Sequence, residues 1–264
     1  MLQDILSIVR RAGQMMREAH AGAGDITSKE GRSNFVTAYD VKIQQFLFAE
    51  LAKAVPGAAF VGEEGEQQVP ADRGLVFIID PIDGTGNFIH GMNYSAVSVA
   101  LAQDGRLMLA AVYNPYCEEL FWAERGKGAF LNGRRLQLRD FPLAQGYVCM
   151  DSAPYYPDLT VPTIHLTYAA MRHSMDIRRV GSGALDISAV GAGRYVAMCS
   201  LRSAPWDYAA AWLILEEAGG VITDMEGNPP SLTQNCSVLA GTPTAHREFL
   251  AIANQIKQEY RYTW

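Results

Sequence analysis

The chain has 264 residues, 49% of them hydrophobic and 19% charged, which is enough apolar material to bury a large core in one sizeable domain or two closely packed ones and argues against disorder. A formal net charge of −6, with no Lys/Arg run, argues against a general affinity for nucleic acid and leaves any anionic ligand dependent on local cations. Cys117, Cys149, Cys199 and Cys236 stand far apart with no Cys-x-x-Cys pair, so neither a zinc site nor a disulfide framework is indicated and they read as reduced, mostly core thiols. The first residues carry no signal-peptide pattern and no apolar run approaches about 18 residues, so a soluble, cytoplasmic protein without membrane contact is expected.

Residues 2–19 place Leu2, Ile5, Leu6, Ile8, Val9, Ala12, Met15 and Met16 at helical spacing, an amphipathic first helix. A glycine-rich polar loop over 21–34 follows and contains Lys29, a surface lysine by its sequence context. A second helix is predicted from Ala38 to Ala54, with Thr37 and Asp40 suited to its first turn and Pro56-Gly57 ending it. Phe60-Val61-Gly62-Glu63-Glu64-Gly65-Glu66 then runs from apolar into three acids; a solvated acidic loop accounts for it as well as a ligand-bearing one.

Leu75–Ile79 is a short continuous apolar run, the pattern of a strand buried on both faces. Asp80-Pro81-Ile82-Asp83-Gly84-Thr85-Gly86 follows, and Pro81, which cannot donate to a ladder, predicts that the chain leaves the sheet there with Asp80 and Asp83 at its edge. Two carboxylates three residues apart repel each other unless cations lie between them, and hard divalent ions such as Mg²⁺ suit carboxylate and carbonyl oxygens. Gly84 and Gly86 allow a close approach of backbone to ligand, and a turn entering a helix points free N–H groups at an anion. Acids for metal beside amides for phosphate suggest phosphoryl chemistry, although an Asx-type surface turn capped by Asp83 and Thr85 uses the same residues. The Asp-x-Asp-Gly-Thr of haloacid-dehalogenase-type phosphatases differs, since its aspartates are two apart.

Residues 94–139 read as an antiparallel meander, 95–103 and 106–113 about an Asp104-Gly105 turn, then 120–123 and 129–131 ahead of Asn132-Gly133. Around 140–146 the pattern changes, the best candidate for a boundary between units 1–140 and 141–264. Beyond it the predicted order is strand 147–150, helix 160–173, strand 177–180, helix 184–191, strand 195–200, helix 207–218, strands 221–223 and 237–240, and helix 244–258. Gly181-Ser182-Gly183 is another loop where backbone could meet ligand, and Asp207 falls at or near a helix N-cap, for which capping is a sufficient explanation. The scattered histidines offer no Ser/His/Asp order and no His-x-x-x-His pair.

Gly62-Glu63-Glu64, the Asp80–Phe88 stretch, Trp206-Asp207 before a small-residue helix, and Glu217-Ala218-Gly219-Gly220 before a strand together resemble the inositol monophosphatase family over nearly the whole chain. The resemblance implies the α+β, α/β layered α-β-α-β-α sandwich of the metal-dependent, lithium-sensitive phosphatases, also seen in fructose-1,6-bisphosphatases, and a homodimer. It implies Mg²⁺ held by Glu63, Asp80 and the carbonyl of Ile82, a second Mg²⁺ held by Asp80, Asp83 and Asp207, and a looser third through Glu63. It assigns Glu63 and Thr85 to the attacking water, the amides of Gly84 and Thr85 to the phosphate, and Lys29 to a mobile loop. Gly181, Ser182, Gly183, Ser200, Arg202, Asp151 and Tyr155 become candidates, with Asp83, for the leaving-group pocket. Gly65 and Gly86 depart from the family's hydroxyl residues, and Ser200 stands where inositol-selective members place a glutamate. The implied activity is hydrolysis of inositol monophosphate or a related small ester. Fructose 1,6-bisphosphate, NADP and 3′-phosphoadenosine 5′-phosphate are the alternatives that Arg202 would suit, and a regulatory or binding protein on the same fold is the alternative of another class.

Overall fold

Helix α1 (Leu2–Glu18) buries Ile5, Leu6, Ile8, Val9, Ala12 and Met16 along one side, as its spacing requires. Helix α2 (Ala38–Ala54) starts at a capping box: the Thr37 side chain accepts from the amides of Tyr39 and Asp40, while Asp40 reaches back to the Thr37 amide. The structure, a computed structural model of the chain, describes residues 1–19, 26–28, 35–65, 71–152 and 156–264. Lys29 and Tyr155 lie outside the described residues. Within the expected 21–34 loop, β1 (Ile26–Ser28) pairs antiparallel with β2 (Phe35–Thr37); three-residue strands are too short to show a period in sequence.

Among the described residues the main strands form two sheets. The first holds seven strands in chain order: β3 (Ala59–Gly62), β4 (Leu75–Asp83), β5 (Ala96–Gln103), β6 (Arg106–Asn114), β7 (Glu119–Glu124), β8 (Gly128–Leu131) and β9 (Arg134–Arg135). Only the β3–β4 pair is parallel; the remainder is the expected meander, with Asp104 and Gly105 both at positive φ in the β5–β6 turn. The second sheet contains β10 (Tyr147–Met150), β11 (Asp176–Arg178), β12 (Ala197–Ser203), β13 (Val221–Thr223) and β14 (Cys236–Gly241) in the order β11-β10-β12-β14-β13. There β10 runs parallel to both β11 and β12, so these three strands end on the same edge.

Helices fill three layers around the sheets. α1 and α2 cover one face of the seven-stranded sheet, and their core includes Phe77, Ile79, Val97, Val99 and Leu101. α5 (Gly183–Gly191) and α6 (Pro205–Ala218) lie between the sheets, packed with Val76, Ile78, Ala96, Ala100 and Ala102 from the first and Met198, Val238 and Ala240 from the second. α4 (Thr160–His173) and α7 (Pro243–Tyr260) close the outer face of the five-stranded sheet over Val148, Cys199 and Leu239. The result is the layered α-β-α-β-α sandwich. Strand β5 shows why the middle layer is tight: its large residues face α1 and α2, while Ala96, Ser98, Ala100 and Ala102 alternate with them on the other face, where Ala209, Ala210 and Ala211 of α6 meet the sheet.

Two boundaries correct the sequence reading. β4 does not end at Ile79: it stays in the sheet through Pro81 to Asp83, with an irregularity in its pairing to β5 between Asp80 and Asp83. α6 begins at Pro205, two residues before the expected start, because proline suits the first helical position; Asp207 is therefore the third residue of the helix rather than its N-cap.

Candidate active site

The β4 irregularity decides where the acids point. Val76 and Ile78 face the middle layer and Asp80 shares their parity. A regular strand would turn Asp83, three residues on, to the opposite face. Instead Asp80 pairs with Ser98 and Asp83 with Ala96, so three steps on β4 match two on β5: one extra residue, a bulge, returns Asp83 to the Asp80 side. Pro81 fits there because a bulge leaves one residue without a ladder bond. Asp80 and Asp83 are both buried, and Asp80 Oδ1 accepts the Ile82 amide at 3.0 Å.

The other groups arrive from four elements. Glu63 follows β3 and its amide donates to Ile79 O at 3.2 Å, which seats it beside the β4 end; Gln44 of α2 bonds both the amide and the carbonyl of Glu64. Asp207 accepts the Ala204 amide at 2.7 Å, and the Trp206 carbonyl ahead of it meets Ser98 Oγ at 3.4 Å, so the small residues of β5 seat the start of α6 over the bulge. Ser182, the N-cap of α5, donates to Asp83 Oδ2, and the amides of Gly183 and Ala184 approach the same carboxylate at 3.2 and 2.8 Å. The first turn of α5 thus holds Asp83. Gly84, at φ 86°, joins β4 to the short helix α3 (Thr85–Ile89), whose first amides have no intrahelical acceptor. Thr85 Oγ1 lies 3.1 Å from Ile82 O and 3.4 Å from Asp40 Oδ1.

One cavity of about 600 Å³ is lined by Glu63, Asp80, Ile82, Asp83, Gly84, Thr85 and Asp207, and further round by Asp151, Gly181, Ser182, Gly183 and Arg202. The structure therefore brings together every described candidate except Ser200, which is buried behind the wall with its Oγ donating to Asp151 Oδ2 at 2.9 Å. Burial pushes the Asp80 and Asp207 carboxyls well above the usual carboxylate range, and repulsion from Glu63 and Asp83 adds to it in both. Burial raises Asp83 to about 6 against the opposing bonds from Ser182, Ala184 and Gly183. Asp80, Asp83 and Asp207 form no ion pair among the described residues. This is a donor set that fits hard divalent cations, whose charge would remove the mutual repulsion. Among the described residues the acids are not already drawn into a ready-made metal cluster, since Asp83 and Asp207 rest on backbone amides.

A family model described as "Inositol monophosphatase family" matches residues 2–258. The chain belongs to the inositol monophosphatase family. It is 37% identical to an inositol-1-monophosphatase of Rhizobium meliloti, over 86% of each chain, and 33% identical to Nus factor SuhB of Escherichia coli, over 95% of this chain and 94% of that one. The crystal structure of extragenic suppressor protein suhB from Bartonella henselae superposes with a TM-score of 0.87 at 32% identity, covering 95% of this chain and 97% of that one. The family is one of phosphatases, and the fold agrees with its members.

Several residues of the site escaped the sequence reading. The sequence places Asp40 only in the first turn of α2, yet its second oxygen faces Thr85. Asn87 ties α3 to the segment before β5 through Tyr94 O at 2.8 Å and to the loop before α5 through Val180 O at 2.7 Å. Asp186 lines the cavity, accepts from Tyr94 OH at 3.0 Å, and is raised by burial to about 7. The capping box flagged Asp40 as ordered, but nothing in linear sequence links position 40 to position 85.

Proposed function

We propose that this chain is a Mg²⁺-dependent phosphomonoesterase acting on inositol monophosphate or a related small phosphate ester by in-line attack of water. The observation that carries the reading is the convergence of Glu63, Asp80, Asp83 and Asp207 with the α3 amides on one cavity in a chain of this phosphatase family. Glu63, Asp80 and the Ile82 carbonyl would hold one ion, Asp80, Asp83 and Asp207 a second, and Glu63 a looser third. Bound Mg²⁺ would lower the pKa of an attacking water and neutralise charge on the phosphate oxygens. Glu63 accepts the proton of that water. The Thr85 hydroxyl hydrogen is shared between the Ile82 carbonyl at 3.1 Å and Asp40 Oδ1 at 3.4 Å, which leaves that oxygen's lone pairs to orient the water. The amides of Gly84 and Thr85 donate to the phosphate, and the bond of Ser182 to Asp83 keeps Asp83 turned to the cavity.

In this reading the unit 1–140 supplies Glu63, Asp80, Asp83 and Thr85, and the unit 141–264 supplies Asp207 and the leaving-group wall. Lithium sensitivity, a cytoplasmic location and a homodimer belong to it as well. The test is phosphate release by metal-stripped protein with inositol 1-phosphate, with and without Mg²⁺. Turnover that needs Mg²⁺ and vanishes in a folded Asp83→Asn variant is expected; turnover unaffected by that substitution would sink the reading. A second reading rests on the relative named as a Nus factor: the same fold engaging a macromolecular partner. It gains ground only if no phosphate ester is hydrolysed.

A further inference from the structure

Asp186 lines the cavity beside the acids proposed to hold Mg²⁺, yet the proposed reaction gives it no task. It stands in α5 and is only 3% exposed, where an ionisable side chain is a costly filler: a leucine would occupy the space without losing hydration. Its bonds are what a leucine could not supply. Tyr94 OH donates to Asp186 Oδ1 at 3.0 Å, and the thiol of Cys149, on β10, is a second donor to the same carboxyl. The first of these crosses from the segment before β5 to α5, 92 positions further along the chain.

Helix geometry sets what depends on that bond. Asp186 lies one turn beyond Ser182, since its amide donates to Ser182 O at 2.9 Å, and the two side chains therefore share a face of α5. Ser182 is the residue that donates to Asp83 Oδ2, with the amides of Gly183 and Ala184 on the same carboxylate. Fixing Asp186 thus fixes the rotation of the turn that holds Asp83. The other end of the bond is anchored on the phosphate side. Tyr94 O accepts from Asn87 Nδ2 of α3 at 2.8 Å, and the neighbouring Ser95 Oγ donates to Gly84 O at 2.9 Å, at the start of α3. Residues 94 and 95 accordingly bond to α3, to the junction before it and to α5 at once.

We infer that Asp186 is a positioning residue: by taking the Tyr94 hydroxyl it locks α5, which holds Asp83, to α3, whose amides face the phosphate, so that metal and phosphate keep one fixed spacing. The inference rests on the phosphatase reading above and adds to it a residue that acts through Asp83. What the position requires is an acceptor rather than a charge. Asparagine keeps the acceptor oxygen, whereas leucine keeps only the volume. In-line attack tolerates little play, because a displacement of about 1 Å can cost about 100-fold in rate.

The test measures kcat, KM and the Mg²⁺ concentration for half-maximal turnover of inositol 1-phosphate in the wild type, Tyr94→Phe, Asp186→Leu, Asp186→Asn and the Tyr94→Phe/Asp186→Leu pair. Urea midpoints and calorimetric Mg²⁺ binding are measured on the same proteins. Tyr94→Phe and Asp186→Leu should each lower kcat and raise the Mg²⁺ requirement by about tenfold, the size of one hydrogen bond to a charged group, with KM for the ester little changed. The pair should be no worse than Asp186→Leu alone, and Asp186→Asn should recover most of the loss. Tyr94→Phe removes one oxygen from a partly buried ring and keeps the test open if Asp186→Leu does not fold. A merely structural bond would lower the urea midpoint and leave kcat and the Mg²⁺ requirement of the folded protein unchanged. That outcome, or an Asp186→Asn variant as impaired as Asp186→Leu, overturns the inference while leaving the phosphatase reading intact. If no ester turns over, the phosphatase reading fails and the Mg²⁺ titration decides this one: binding weakened in Tyr94→Phe but kept in Asp186→Asn supports it, and equal binding in both or none to the wild type overturns it.

Discussion

At the residue scale, crowded acids tie the stability of the protein to pH and metal. Free aspartate titrates near 3.9, roughly, whereas burial holds Asp83 at about 6 and lifts Asp80 and Asp207 further. A carboxyl whose folded pKa lies above its unfolded one binds more protons folded than unfolded. Its contribution is fully present below the unfolded pKa and is lost as pH rises through the folded one. For Asp83 that window runs from about 4 to about 6, with a loss on the order of 3 kcal/mol before any cation compensates. His246, whose buried ring has a lowered pKa, works in the opposite direction, because its partly desolvated imidazole resists charging. The informative quantity is therefore the rise in Tm on adding Mg²⁺ at each pH. Calorimetry should show a small rise near pH 5 and a much larger one at about pH 7.5. A Mg²⁺ effect that does not grow across this interval would mean that Asp80, Asp83 and Asp207 do not share an ion.

At the element scale, the junction of β4 and α3 carries the site. A Cβ on Gly84 would stand 3.0 Å from Gly181 O and 3.1 Å from Tyr94 O, in a backbone at φ +86° that side chains rarely adopt. Gly84→Ala should cost about 1–3 kcal/mol in urea unfolding and, by shifting α3 against the α5 loop, lower kcat by more than tenfold, roughly. A variant with wild-type stability and kcat would show that the junction is not the constraint. This junction also marks the limit of what the sequence discloses. The helices and the 75–79 strand were legible because burial on one face or two leaves a periodic or continuous apolar trace. Asp80, Asp83 and Asp207 were legible as acids held at fixed points by proline, glycine and a helix start. The bulge was not, since Pro81 ends a strand and permits a bulge with equal ease, and only the Ser98 and Ala96 partners on β5 distinguish the two. Contacts that close through space, Asp40 to Thr85 and Ser200 to Asp151, leave no trace in spacing at all.

At the scale of the whole molecule, α4 presents an apolar face that the fold itself does not cover. Val161, Ile164, Tyr168, Met171 and, just past the helix, Met175 recur every three or four residues, and each is more than half exposed. They make up half of the large hydrophobic side chains that stand exposed among the described residues, so the exposure is concentrated rather than scattered. β11, which packs beside α4, pairs among the described residues only with β10 and is an edge of its sheet there. An apolar helix face next to an open strand edge suits a two-fold contact in which the same patch meets itself. It supports the homodimer proposed above, for which we propose α4 as the interface. Light scattering should give twice the chain mass for the wild type and the chain mass for Ile164→Asp/Tyr168→Asp. Both side chains point outward, so the double variant should unfold at nearly the wild-type urea concentration when both are monomeric at high dilution. A wild type that runs as a monomer, or a variant that stays dimeric, removes α4 as the interface. The acids proposed to hold Mg²⁺ lie on β4, α6 and the loop after β3, and no α4 residue lines their cavity. The monomeric variant should accordingly keep its dependence on Mg²⁺, which separates loss of the dimer from loss of the site.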